Sequence, residues 1–281
     1  MNGSGPKISI VMAVFNSAQT LQCSLDSVRA QTYPNTELIV IDGASTDGSV
    51  DIIRANSHLI SYWESRPDRG IYHAWNKALD HVRGDWIHFL GADDYFMYPE
   101  VLAEVARELS GCPHDVKVAY GRCAMVSDSG RILQIRGDFW ERSKRKLLKE
   151  MSLPHPALFT HRDVFAVHGR FDESFLIGGD YEHLLRELKD GKAVFMPEIL
   201  VKGVRLGGVS TSPRQIVRFA IEIAWAKRRN GIFPYHPGWF WFLCKSWAKQ
   251  NLHRQMGERA TRRTIDSYRW LTGRPAIWTK M

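Results

Sequence analysis

The first ninety residues alternate between short apolar runs rich in β-branched side chains, at 8–14, 38–42 and 86–90, and segments of helical periodicity between them. Between the first two runs, SAQTLQCSLDSVRAQ places Leu21, Leu25 and Val28 on one face, with Ser17 as its expected cap and Pro34 soon after its end. This is a βαβ unit, and its continuation predicts a parallel sheet with crossover helices. STDGSVDII reads as a turn feeding a second helix, LISYW as a short strand, and Tyr72 to Val82 as a helix ending at Gly84. The three runs deliver polar residues to one sheet edge: Asn16, then Asp42 and Ser45, then Asp93 and Asp94. In open α/β sheets ligands bind at the carboxyl ends of the strands.

From about residue 117 the runs shorten to VKVAYG, CAMVSD and RILQIRG, with Ser129-Gly130 as a hairpin turn, so antiparallel pairing is expected. A basic helical stretch, WERSKRKLLKEM, follows. Paired glycines then precede Asp180 and a helix whose apolar face carries Leu184, Leu185 and Leu188, which puts Asp180 at a helix start. After Pro213 come an amphipathic helix, RQIVRFAIEIAWAKRR, a break at Asn230-Gly231, a segment rich in proline and aromatics, and a second basic helical stretch.

With 281 residues, 44% of them hydrophobic, the chain has material for one large α/β domain and an appendage. Its four cysteines are scattered, with neither a CxxC pair nor zinc spacing, so reduced thiols in a cytosolic setting are expected. The eight-residue run ISIVMAVF is too short for a membrane span or a signal core, and GWFWFLC is closed by Lys245. Charge is unevenly spread: residues 213–281 carry 14 Lys or Arg against Glu222, Glu258 and Asp266, a net +11, whereas residues 1–212 carry a net −3.

Four ordered segments, ISIVMAVFNSAQTLQCSLDSVRAQTYPNTELIVIDGASTDGS, PDRGIYHAWNKAL, GDWIHFLGADDYFMYP and GRFDESFLIGGDYE, together resemble glycosyltransferase family 2 over roughly residues 7–205. The resemblance implies a GT-A fold, a Rossmann-like α/β architecture, in which residues 1–105 form the donor half, 106–212 the acceptor half and 213–281 a helical extension. It also implies a nucleotide-sugar donor, a UDP-sugar foremost, and a divalent metal, Mn2+ or Mg2+. Adjacent carboxylates at a strand end suit this chemistry, because a hard cation between them and a diphosphate relieves their repulsion and neutralises the leaving group.

In the family's pattern Asp94 binds the metal and Asp93 contacts the donor, with Gly91 standing where many members have Asp or Asn. Asp42 accepts from the N–H of a uracil or thymine ring, with Ala13, Phe15, Asn16 and Ser45 around it. Asp68, Gly70, Asn76 and Lys77 approach ribose and phosphates, with Trp75 in the place of the family's arginine. Asp180 is the expected general base of an inverting transfer, with Glu182 in reserve. His155 is open between a contact to metal or diphosphate and a buried structural role.

Two readings of the basic, aromatic tail stay open: peripheral docking on an anionic bilayer at the cytoplasmic face of the inner membrane, and a helical cap with a solvated basic face. The acceptor is then lipid-linked or an oligosaccharide in surface polysaccharide synthesis. A nucleotidyltransferase shares the carboxylates but wants a Gly-rich, Lys-containing triphosphate loop after the first strand, which is missing. A nucleic-acid-binding protein, suggested by a pI near 9.4, is disfavoured by the acidic body.

Overall fold

Strand β1 (Ile8–Val14) is buried along almost its whole length and serves two cores. Ile8, Ile10, Met12 and Val14 pack with Leu21, Leu25 and Val28 on one side of the sheet, while Val11 joins Ile39, Ile41, Tyr72 and Ala78 on the other. A strand covered on both faces needs a continuous apolar run, which is why no alternation is seen there. The computed structural model describes residues 5–127, 129–205, 215–235, 237–273 and 276–280.

In chain order the elements are β1, α1 (Ala18–Arg29), β2 (Thr36–Asp42), α2 (Ser49–Ala55), β3 (Tyr62–Ser65), α3 (Ile71–Leu79), β4 (Trp86–Gly91), β5 (Tyr95–Phe96) and α4 (Val101–Ser110). They continue with β6 (Val118–Val126), β7 (Ile132–Arg136), α5 (Trp140–Leu147), β8 (Leu158–His161), α6 (Arg162–His168), α7 (Gly179–Leu188), β9 (Ala193–Arg205), α8 (Ile216–Arg229) and α9 (Pro237–Leu271). The sheet runs β3-β2-β1-β4-β8-β6-β9-β5, with β7 paired to β6. It is parallel from β3 to β4, antiparallel at β4·β8 and β8·β6, and parallel again at β6·β9. α1 and α4 pack on one face, and α3, α7 and α8 on the other.

Several local expectations change. Ser17 precedes α1 but does not cap it: its hydroxyl donates to the Phe15 carbonyl, and Asp47 Oδ2 accepts the Ala18 N–H at 2.9 Å instead. VKVAYG and CAMVSD form one strand, β6, which carries β8 beside its first half and β7 beside its second. The aromatic-rich stretch expected before the last helix makes up its first turns, and that helix is broken at Gly257, where φ is 77°. The division expected at 212/213 lies outside the described residues.

A buried carboxylate ties the near end of the sheet together. Glu37 of β2 accepts from Ser9 Oγ at 2.5 Å, from the Arg83 and Gly84 amides at 2.7 and 3.1 Å, and pairs with Lys7 at 2.8 Å. Burial alone would raise its pKa, but the bonds from Lys7, Ser9 and the Arg83 amide outweigh burial and hold it below the usual 4.5. A lowered folded-state pKa means that the stabilisation is complete above the unfolded value and is lost as pH falls through the folded one. Glu37→Gln is therefore expected to cost about 1.5–3 kcal/mol at pH 7. In urea melts across pH, the gap between variant and wild type should shrink once pH drops below about 4.5.

Candidate active site

The carboxyl ends of β1 and β2 are stitched into one rim. Val14 lies opposite Asp42, and Asp42 opposite Ser65 of β3. Asp42 is fully buried; Ser45 Oγ donates to its Oδ1 at 2.5 Å, while the Ser45 amide and Ser65 Oγ donate to Oδ2 at 3.0 and 2.7 Å. Asn16, with φ 48°, receives Thr46 N–H on its side-chain oxygen and sends its own N–H to Ser45 Oγ. An ideal Cβ on Gly43 would fall 2.7 Å from Asp68 Oδ2 and 3.2 Å from the Phe15 ring, so glycine lets both side chains close over this turn. Phe15 is 63% exposed, a ring face open to a ligand. Ala13 sits beneath, between Ile41 and Gly91 of the flanking strands.

Of the residues expected near ribose and phosphate, Asp68 holds the Gly70 amide at 2.9 Å and faces the rim. Asn76 and Lys77 point elsewhere: Asn76 is bonded to both backbone groups of Phe171 and to Glu173, and Lys77 pairs with Glu64 at 2.9 Å.

At the end of β4, residues 91–94 close a turn through Asp94 N–H to the Gly91 carbonyl. Thr20 and Ser24 of α1 both donate to the Ala92 carbonyl at 2.9 Å and anchor it. The next two residues form β5, which pairs with Lys202 and Gly203 of β9. This pairing brings the Lys202 ammonium, 1% exposed, to 3.0 Å from Asp94 Oδ2 and 3.0 Å from the Phe89 carbonyl. Burial, and then the Asp94 charge, push the Asp93 carboxyl above its usual range.

The two acids suit a divalent cation. An ideal Cβ on Gly91 would lie 2.8 Å from Asp93 Oδ1 and 3.0 Å from Asp94 Oδ2, so two carboxylate oxygens converge on a cradle that the glycine leaves open. Among the described residues no group of three or more His, Cys, Asp or Glu forms a complete cage. A site with one or two carboxylates is the type in which Mg2+ keeps waters and takes substrate phosphate oxygens.

Asp180 occupies the first turn of α7 and accepts the Tyr181 amide on Oδ1 at 2.8 Å. Its Oδ2 faces His155 Nδ1 at 3.6 Å, and burial lowers the pKa of that imidazole, favouring its neutral form. The loop in front of Asp180 is held from two sides. Tyr72 of α3 donates to the Ile177 carbonyl and accepts the Gly179 amide. Glu222 of α8, 3% exposed, accepts the Leu176, Ile177 and Gly178 amides on one carboxylate, with Oε2 at 2.8 and 2.9 Å from the last two. Glu182 is bound by Arg186 and Asn230, so both reserve oxygens are engaged within the protein.

Asp93, Asp94, His155 and Asp180 line one cavity of about 990 Å3, roofed by α8 and α9. The sequence reading did not single out Lys202, Glu222 or Tyr72. A lysine inside the apolar run EILVKGV was a legible signal for the first; Glu222 and Tyr72 look like ordinary helix residues until the chain folds.

The model of glycosyl transferase family 2 matches residues 9–168. An uncharacterized glycosyltransferase of Mycobacterium tuberculosis is 34% identical over 185 residues, covering 65% of this chain and 69% of the relative. A PGL/p-HBAD biosynthesis glycosyltransferase of Mycobacterium bovis is 29% identical over 216 residues, covering 74% and 81%. In fold the chain is similar to Staphylococcus aureus TarS 1–349 in complex with UDP-GlcNAc, with TM-score 0.61 and 16% identity over 88% of this chain and 72% of that one. It is also similar to the mannosyltransferase PcManGT from Pyrobaculum calidifontis in complex with GDP-Man and Mn2+, with TM-score 0.60 and 18% identity over 96% and 76%.

The Glu222 clamp gives a direct expectation. Glu222→Ala frees three amides and lets the Asp180 turn drift, and a displacement of about 1 Å in a reacting group costs on the order of a hundredfold in rate. If Asp180 is a reacting group, turnover should fall by about 10- to 100-fold while thermal stability stays near that of wild type. A large loss of thermal stability along with the turnover would show a general unfolding instead.

Proposed function

The chain belongs to glycosyl transferase family 2, and on that premise we propose an inverting, metal-dependent transfer of a sugar from a nucleotide-sugar, a UDP-sugar by preference, to a lipid-linked or saccharide acceptor. The observation that carries this reading is that Asp93, Asp94 and Asp180 face one cavity beside the Asp42 rim. Relatives named for PGL/p-HBAD biosynthesis support a cell-surface product. In this reading residues 1–105 handle the donor, 106–212 the acceptor, and 213–281 close the site.

Asp42, buried beneath the rim, would take the imide N–H of the base on Oδ1, which among the described residues accepts only from Ser45 Oγ, and Phe15 stacks on the ring. Asp68 and Gly70 approach the ribose, with Asn76 and Lys77 bracing that wall from behind through Glu173 and Glu64. Asp94, with Asp93 beside it, would hold Mn2+ or Mg2+, whose chemistry is to neutralise the charge on the departing diphosphate. Lys202 keeps Asp94 aimed at the cradle. Asp180 accepts the proton of the acceptor hydroxyl as its oxygen bonds to the anomeric carbon and the bond to the diphosphate breaks. Burial lowers the His155 pKa, which disfavours an imidazolium competing for Asp180.

The tail reading gains a physical basis from α9. Phe240, Trp241 and Trp247 are exposed along its first turns, and Lys245 lies 4.7 Å over the Trp241 ring. Among the described residues no helix is long and apolar enough to cross a membrane. We place this face on the anionic surface of the cytoplasmic leaflet, where aromatic rings sit among headgroups and each nearby cation contributes about 1 kcal/mol.

Thermal unfolding with UDP, GDP, CDP or dTDP, with and without Mn2+, tests the donor site. At a hundredfold excess over Kd, UDP with Mn2+ should add about 2.7 kcal/mol, and Asp94→Asn should abolish the shift. Asp180→Asn should keep that shift and lose transfer by about a thousandfold or more; a transferring Asp180→Asn variant would remove it as the base. Co-sedimentation with vesicles containing acidic phospholipid should show binding that weakens with salt and drops in Trp241→Ser/Trp247→Ser, whereas no binding to acidic or neutral vesicles would leave only the capping role.

A further inference from the structure

The cavity that holds Asp180 stops short of the Asp42 rim. Neither Phe15, Asp42 nor Asp68 lines it, so the base end of a nucleotide lies outside. At about 990 Å3 it reaches the upper end of the range for sites that enclose a whole small molecule, about 300–1,000 Å3. Its walls have two characters. The roof is apolar, built by Phe219 and Ile223 of α8 and by Trp239 and Phe242 of α9. Trp239 is pinned there by its indole N–H, which donates to the Ala220 carbonyl at 3.0 Å.

The opposite wall is cationic. Arg136 and Arg205 stand at the donor end: Arg136 lies across from Cys123, the β6 residue paired with Lys202, and Arg205 lies over Tyr95 beside Asp94. Lys146 and Lys149 come from α5 and the residues after it and flank Leu147, whose carbonyl accepts the Tyr181 hydroxyl, which ties them to the Asp180 turn. Neither ammonium has a carboxylate or hydrogen-bond partner among the described residues. Glu150 is an acid on the same wall, and it acts on Lys227.

Resting on the assignment of Asp180 and Asp94 above, we infer that this cavity is the acceptor site and that it is built for an amphiphile whose sugar is carried on a phosphate. The acceptor hydroxyl lies at Asp180, the phosphate at Lys146 and Lys149, and the apolar chain runs beneath Phe219, Ile223, Trp239 and Phe242. A neutral oligosaccharide would leave the two cations unmatched and the aromatic roof wet. A free anion would use the lysines and nothing of the roof.

Calorimetric titration of the full chain with decyl phosphate below its micelle concentration, with inorganic phosphate, and with the neutral decyl maltoside tests this. Decyl phosphate should bind at least tenfold more tightly than either of the others. Lys146→Gln/Lys149→Gln, at two exposed positions, should remove that preference and leave UDP binding unchanged. Phe242→Ser should weaken decyl phosphate and not UDP. Equal affinity for the phosphate and the maltoside, or for inorganic phosphate and decyl phosphate, would overturn the inference. So would a double variant that loses UDP instead, since the lysines would then serve the donor's diphosphate. Because decyl phosphate is titrated without nucleotide, failure of wild type to bind any nucleoside diphosphate would strike the donor reading alone.

Discussion

Two carboxylates one residue apart, at the mouth of a strand buried on both faces, repel each other with little water to screen them. At about 4 Å like charges cost on the order of 4 kcal/mol at an effective dielectric of 20, against about 1 in bulk water. That is a large share of the roughly 5–15 kcal/mol by which a domain is stable. The fold answers with the buried Lys202 ammonium on Asp94. Burial first, and the Asp94 charge second, hold the Asp93 carboxyl above its usual range.

Meeting that demand organises much of the sheet. Lys202 reaches Asp94 only because the two-residue β5 turns back to pair with β9, more than a hundred residues later in the chain. The same strand, β9, runs parallel to β6, and the parallel strands β3 to β4 meet this part of the sheet through β8. The turn itself is anchored by hydroxyls of α1, whose own N-terminus is closed by Asp47 from the neighbouring loop. Donor rim, acidic turn and first helix are therefore one hydrogen-bonded unit.

The turn that presents Asp180 depends on the C-terminal extension. The family match ends at residue 168, yet Asp180, Lys202 and Glu222 all lie beyond it. Glu222 gathers three amides of the turn that presents Asp180, an arrangement in which one ionised carboxylate satisfies donors that burial would otherwise leave unpaired. The bonds from Arg218 and those amides outweigh burial and keep its pKa low. The extension thus holds the loop that presents Asp180, as well as roofing the cavity.

The parallel half of the sheet, the placement of Asp42, Asp93 and Asp94 at strand ends, and Asp180 at a helix start were legible in the sequence, because each rests on local periodicity and turn chemistry. Strand β9, the Lys202 and Glu222 contacts and the inward commitments of Asn76 and Lys77 were not. These are pairings between residues far apart in the chain, and whether a charged side chain meets a ligand or a protein partner depends on which segment folds against it. Ser17 shows the same limit at short range: a serine before a helix has the right chemistry for a cap, but an aspartate from another loop arrived in better geometry. Local sequence determined which residues could do chemistry and on which edge; tertiary packing alone decided which are free to do it, because it sets both the partners and the water around each charge.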